Sequence, residues 1–202
     1  MKLRLLAVCT GLAMAAGVAQ AQTQTKQDIG IYLTPMAARI SNSTPDSSVF
    51  AFLGPNATSA FFEGFGVGVY DDLLHASRFD VGLDARANLL RGGGAQMNSF
   101  LVGARVAFKP VSLPFKPYFA VNGGVGGTKA AHNPLYVSKP QYGAQVGIDY
   151  PLGRLVDFRV VEVGYSSVQT VSSGTVNSGT PLPPSSGMIT FATGIVFRLP
   201  SK

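Results

Sequence analysis

Few residues in this chain could do chemistry, and their spacing argues against most of it. The run from Gly123 to Lys129 has the glycine density of a phosphate-cradling loop. Its lysine follows Thr128, however, and no helical pattern follows to supply an N-terminal dipole. Gly64, Gly66 and Gly68 match half of a dinucleotide fingerprint, yet they alternate within a strand pattern and read as small residues on one face. The two histidines, His75 and His132, fall at opposite ends of the elements derived below. They can form neither a metal pair nor a catalytic pair, and both are expected in solvated loops. A hydrolase needs serine, histidine and carboxylate groups converging at one rim, and His132 with Ser138 is the nearest approach. The reading is therefore of a protein that is not an enzyme, with no cofactor and no metal.

A second set of residues is more numerous. Arg78, Asp80, Asp84, Arg86, Arg105, Asp149, Arg159, Glu162 and Arg198 have mixed sign and are set singly among apolar residues. Their meaning depends on the elements that hold them. Period-two alternation recurs through the chain and no helical periodicity stands out. Eight strands are expected near 28–40, 60–71, 77–90, 98–109, 116–128, 140–150, 156–168 and 188–199. Each is longer than the usual globular strand of about five or six residues; a tilted strand crossing a bilayer needs about 9 to 11.

Turn chemistry separates them: Asn42 to Pro45, Asp71 with Asp72, Gly92 to Gly94, Pro110 to Pro114, Asn133 with Pro134, Pro151 to Gly153, and a Ser-, Gly- and Pro-rich stretch over 172–187. The even-numbered connections are short and most odd ones long, as transmembrane barrels arrange their inner turns and outer loops.

On the third strand Phe79, Val81, Leu83, Ala85, Ala87 and Leu89 alternate with Arg78, Asp80, Gly82, Asp84, Arg86 and Asn88. The fourth, sixth and eighth strands repeat the pattern. A soluble sheet with one wet face would also alternate in this way. The distinction lies in the aromatic residues, because Phe100 and Phe108 bracket the fourth strand and Tyr142 and Tyr150 the sixth, on the apolar face, as interfacial girdles do. The apolar face is thus read as meeting lipid and the small and charged face as lining the interior. The nine charges above are then expected to form a register-fixing network of salt bridges and water in the lumen, since buried charges persist when paired or wetted. Strict alternation would send Glu162 outward, so a bulge at Val160 and Val161 is expected to turn both Arg159 and Glu162 inward. Eight strands leave room inside for side chains and little more.

The N-terminal 21 residues have a basic start at Lys2 and Arg4, an apolar run and an Ala19-Gln20-Ala21 ending, the layout of a cleaved signal peptide. Residues 1–21 are read as that signal, 22–27 as a short polar lead and 28–202 as the barrel domain. The single cysteine, Cys9, lies in the signal, so no disulfide or thiolate site is expected beyond it. Removing Lys2 and Arg4 lowers the formal charge from +6 to +4, and the remaining cations form no basic stripe. Nucleic acid is accordingly not expected as a partner.

Three stretches, Pro117 to Gly126, Tyr142 to Tyr150 with Arg159 to Tyr165, and Phe191 to Leu199, resemble the outer-membrane β-barrel domain family of OmpA-type small barrels. The resemblance implies a Gram-negative outer-membrane location, contact with outer-membrane lipid and insertion by the barrel-assembly machinery. It implies no single activity. Such machinery commonly reads a terminal aromatic residue, whereas here Phe197 is followed by five further residues. The expectation is a closed eight-stranded antiparallel up-and-down transmembrane β-barrel, preceded by a cleaved signal peptide. It would be a monomer with a structural or surface-interaction role, its outer loops over 41–59, 129–139 and 169–187 available to an extracellular ligand. The alternatives are a narrow channel or small-solute porin, and then a soluble secreted barrel.

Overall fold

A computed structural model describes residues 28–131, 133–172 and 185–199. The expected signal peptide, the polar lead, His132 and most of the last outer loop lie outside these residues. Eight strands follow in order: β1 (Asp28–Ser41), β2 (Ser59–His75), β3 (Phe79–Gly92), β4 (Ala95–Phe108), β5 (Lys116–Lys129), β6 (Tyr136–Pro151), β7 (Val156–Val168) and β8 (Ser186–Leu199). Each pairs antiparallel with the next, and β8 closes on β1 from Ile29 opposite Leu199 to Ser41 opposite Gly187. Closure removes the sheet edge, and with it the unpaired backbone groups that lipid could not satisfy.

Three strands run further than their turn chemistry suggests. Asp71 and Asp72, expected in a turn, remain in β2, which continues past a register shift between Asp72 and Leu74 to His75; the turn itself is 76–78. Strand β4 begins at Ala95 because Gly93 and Gly94, with φ of 55° and 83°, make a two-residue hairpin of the kind that needs positive φ at both positions. Strand β6 begins at Tyr136, so Ser138, expected in a loop, lies in a strand, and the third outer loop is shorter than 129–139.

The outward face is apolar. Ile31, Leu33, Val67, Val69, Leu83, Val102, Val121, Val146 and Ile195 are all exposed along it. Toward the end with short turns it carries Phe79, Phe108, Phe119, Tyr150, Phe158 and Phe197. Toward the other end it carries Phe61, Tyr142 and Tyr165. An exposed apolar belt between two aromatic girdles is the surface of a membrane-spanning barrel. The short-turn end is therefore periplasmic.

The interior has two floors. At the outer end much of the interior is apolar: Ala38, Ile40, Phe62, Leu90, Met97, Val168 and Met188 form one cluster, with Thr128, Gln141 and Ser186 also buried at that end. The loop over 42–58, expected to meet the outside, instead turns its own Phe52 down into that cluster. There Phe52 stacks on Phe62 with ring centres 5.1 Å apart and planes 9° apart. The small-and-charged interior expected from the alternation thus applies to the periplasmic half, and the outer half is plugged by hydrophobic side chains. The reason is local, because the loop supplies Phe50, Phe52 and Leu53 above a ring of inward apolar residues, and burying them against that ring removes both surfaces from water.

Candidate functional site

The periplasmic half of the lumen is where the charged residues meet. Residues two apart on a strand share a face, which places Asp84 and Arg86 of β3 side by side, pointing inward. Arg86 Nε lies 2.8 Å from Asp84 Oδ1, and its Nη1 crosses the lumen to Glu162 Oε1 of β7, also at 2.8 Å. Glu162 is shared with Arg159, whose Nη1 is 3.2 Å from Oε2. Arg159 Nε in turn lies 2.9 Å from Asp149 Oδ1 of β6. Asp149 Oδ2 is 3.5 Å from Arg105 Nη2 of β4, and Arg105 Nη1 is 3.0 Å from Asp72 Oδ1 of β2. The seven groups make one ribbon of alternating sign, Asp84, Arg86, Glu162, Arg159, Asp149, Arg105 and Asp72, linking five strands across the interior.

Both Arg159 and Glu162 reach the ribbon because β7 carries an extra residue. Against β6, Ile148 faces Val161 and Asp149 faces Arg159, so Val160 is left without a partner. Against β8 the register shifts between the same two charged residues. Val160 and Val161 are both exposed on the membrane face while Arg159 is 0% and Glu162 4% exposed. A bulge inserts one residue and so turns two charges that strict alternation would oppose to the same side.

Three tyrosines complete the layer. Tyr32 donates to Asp84 Oδ2 at 2.9 Å, and Tyr118 donates to Glu162 Oε2. The Arg105 guanidinium sits 3.9 Å from the Tyr70 ring centre and 4.7 Å from that of Tyr118, and Arg159 lies 4.4 Å from that of Tyr32. Each ring lies over a glycine of the neighbouring strand, Tyr32 over Gly68, Tyr70 over Gly30 and Tyr118 over Gly147, where a Cβ would collide with it. Large inward rings fit a narrow barrel where the adjacent strand has no side chain to displace.

Six of the nine charges singled out in the sequence thus meet in the ribbon. Asp80 lies below it at the periplasmic mouth, 2.7 Å from His75 Nδ1 and also paired with Lys109. Arg198 is at the same end, half-buried, with Nη2 2.9 Å from Asp157 Oδ1 and donating to the Gly153 carbonyl. Arg78 does not enter the lumen. It is exposed in the turn over 76–78, because β3 starts at Phe79, two residues later than expected. Two carboxylates and the three tyrosines escaped the sequence reading: Asp72 stood in an apparent turn, Asp157 at a strand start, Tyr118 within a stretch valued for its glycines, and Tyr32 and Tyr70 in strands where nothing local marks the bare glycine each ring covers.

The layer is tightly buried. Asp84, Asp149 and Arg159 are each at most 1% exposed, and so are Leu90 and Met97 in the floor above.

No protein-family profile matches the chain, and no curated protein matches it in sequence. Solved structures do match in fold. Neisserial surface protein A aligns with a TM-score of 0.52 at 12% identity, covering 85% of this chain and 97% of that one. The attachment invasion locus protein Ail of Yersinia pestis aligns with a TM-score of 0.51 at 12% identity, covering 87% of this chain and all of that one. With the closed sheet, the apolar belt and the girdles, these likenesses define the class: this is a small eight-stranded outer-membrane β-barrel.

Proposed function

We propose that the protein is a non-conducting, non-catalytic barrel whose role is structural or one of interaction at the cell surface. The observation that carries this reading is the occlusion of the lumen on two floors, the alternating ribbon below and the apolar plug around Phe52 above. A channel would need both to move. A ligand for the surface role would meet the outer loops, of which the one over 42–58 presents Val49 to solvent while anchoring itself through Phe52. The non-catalytic reading is supported by the position of His75, which is held by Asp80 at the periplasmic mouth, away from the outer loops.

The test is ion conductance of the refolded full chain in planar bilayers, beside a Phe52→Ala, Phe62→Ala double variant. Both proteins are expected to leave the bilayer at baseline, because the ribbon remains when the plug is thinned. Steady single-channel steps from the unaltered protein would overturn the reading in favour of the narrow channel.

A further inference from the structure

The membrane face of this barrel is not uniformly apolar, and its exceptions are grouped. At the outer end of β1 to β5, on the outward register, stand Arg39, Glu63, Arg91, Gln96, Asn98 and Lys129. They are neighbours across the ladder: Glu63 faces Arg91, Arg91 faces Gln96, and Gln96 faces Lys129. Arg39 lies over the Phe61 ring at 5.9 Å, and Arg91 is steadied by the Asn98 side chain and the Leu90 carbonyl, both at 3.0 Å. A basic residue on the lipid face costs about 2 to 4 kcal/mol at the midplane and about 0 to 1 near an interface, which assigns this group to the headgroup level of the outer leaflet. Among the described residues, the outward register at the periplasmic end of the same five strands carries Asp71 and no arginine or lysine, the exposed Arg78 and Lys109 lying just beyond the strand ends. At the outer end of β6 and β7 the level is taken by Tyr142 and Tyr165.

A second feature leads to the same place. A shallow groove crosses the outer wall from β7 to β3, past Val160, Phe191, Thr193, Ala37 and Gly64, and it ends at Arg91. It lies where the ladder is interrupted on both sides of β8: the pairing with β1 skips Thr34 and Pro35, the latter with no N–H to give, and the pairing with β7 is broken by the bulge. Small residues and local bending leave a furrow in an otherwise bulky apolar surface.

The geometry points to a binding site for a phosphorylated glycolipid of the outer leaflet. Arg39, Arg91 and Lys129 meet its phosphates, and one acyl chain lies in the groove. Three cations against the single carboxylate of Glu63 give the patch the sign an anionic headgroup requires. Glu63 is itself an acceptor for sugar hydroxyl or amide groups, which favours a glycolipid over a simple anionic phospholipid. The groove supplies the apolar half of the site at the membrane depth where acyl chains begin.

The experiment is native mass spectrometry of the full chain refolded in detergent, titrated with three lipids. These are a bisphosphorylated acylated glucosamine disaccharide, the same lipid with both phosphates removed, and phosphatidylglycerol. The bisphosphorylated lipid is expected to bind roughly tenfold to thirtyfold more tightly than either of the others, as about two arginines at an anionic surface would give. Arg39→Gln with Arg91→Gln is expected to abolish that difference, and Arg154→Gln at the periplasmic end to leave it intact. Equal binding of the phosphorylated and dephosphorylated lipids, equal binding of phosphatidylglycerol, or an unchanged preference in the double variant would overturn the proposal. The wild-type comparison among the three lipids decides the matter even if the double variant fails to refold.

Discussion

Arg159 shows most directly what the ribbon does for the fold. It is fully buried and joins Glu162 to Asp149, and thereby the two halves of the ribbon. Replacing it with methionine leaves four carboxylates facing two arginines in a layer closed to water. Breaking a buried pair by removing one partner typically costs about 3 to 5 kcal/mol, since the remaining charge is left uncompensated. Arg159→Met is therefore expected to lower stability by that order in urea titrations of the vesicle-refolded barrel. Adding Glu162→Gln should recover part of the loss, because it removes one of the stranded charges and keeps an acceptor for Tyr118. Additive or worsened loss in the double variant would show that the two side chains do not act as a pair. At this scale the sequence was informative where partners sit two apart on one strand, as Asp84 and Arg86 do. It was uninformative where pairing depends on register between strands. Nothing in β2 alone says that Gly68 must be bare to admit Tyr32, and Asp72 looked like half of a turn until the bulge beyond it was known.

At the scale of elements, β7 carries the sharpest expectation. If Val160 is the extra residue, its deletion leaves Arg159 and Glu162 both inward, now by strict alternation, with regular pairing to β6 and β8. Deleting Val146 from the regular strand β6 instead inverts every side chain on one side of the cut, because strand side chains alternate with period two. The first variant is expected to refold to a form whose electrophoretic mobility shifts on boiling, and the second is not. The reverse pattern would show that the bulge is placed wrongly. That bulge was legible in the sequence because a lipid-facing glutamate is costly. The inward dip of the loop over 42–58 was not, since nothing in a stretch of Ser, Pro, Gly and Asn reveals that Phe52 folds back onto Phe62 of the strand that follows it.

For the whole molecule, the alternation in the sequence marked out eight strands, the family resemblance carried the expectation of closure that the pairing of β8 with β1 bears out, and one decision was left to physical argument: which face meets lipid. The aromatic girdles and the pairing of the inward charges answer it together. The chain contains no tryptophan, so a single introduced tryptophan reports its own surroundings without background. The most direct test places it in turn at Phe100, Leu101 and Val102 and measures fluorescence quenching by brominated lipid after refolding into vesicles. Phe100 and Val102 are exposed on the outer wall and Leu101 is 1% exposed on the inner one. Strong quenching at 100 and 102 with little at 101 is the result expected of this barrel. Quenching strongest at 101, or absent at all three, would contradict it and make the apolar face a protein core.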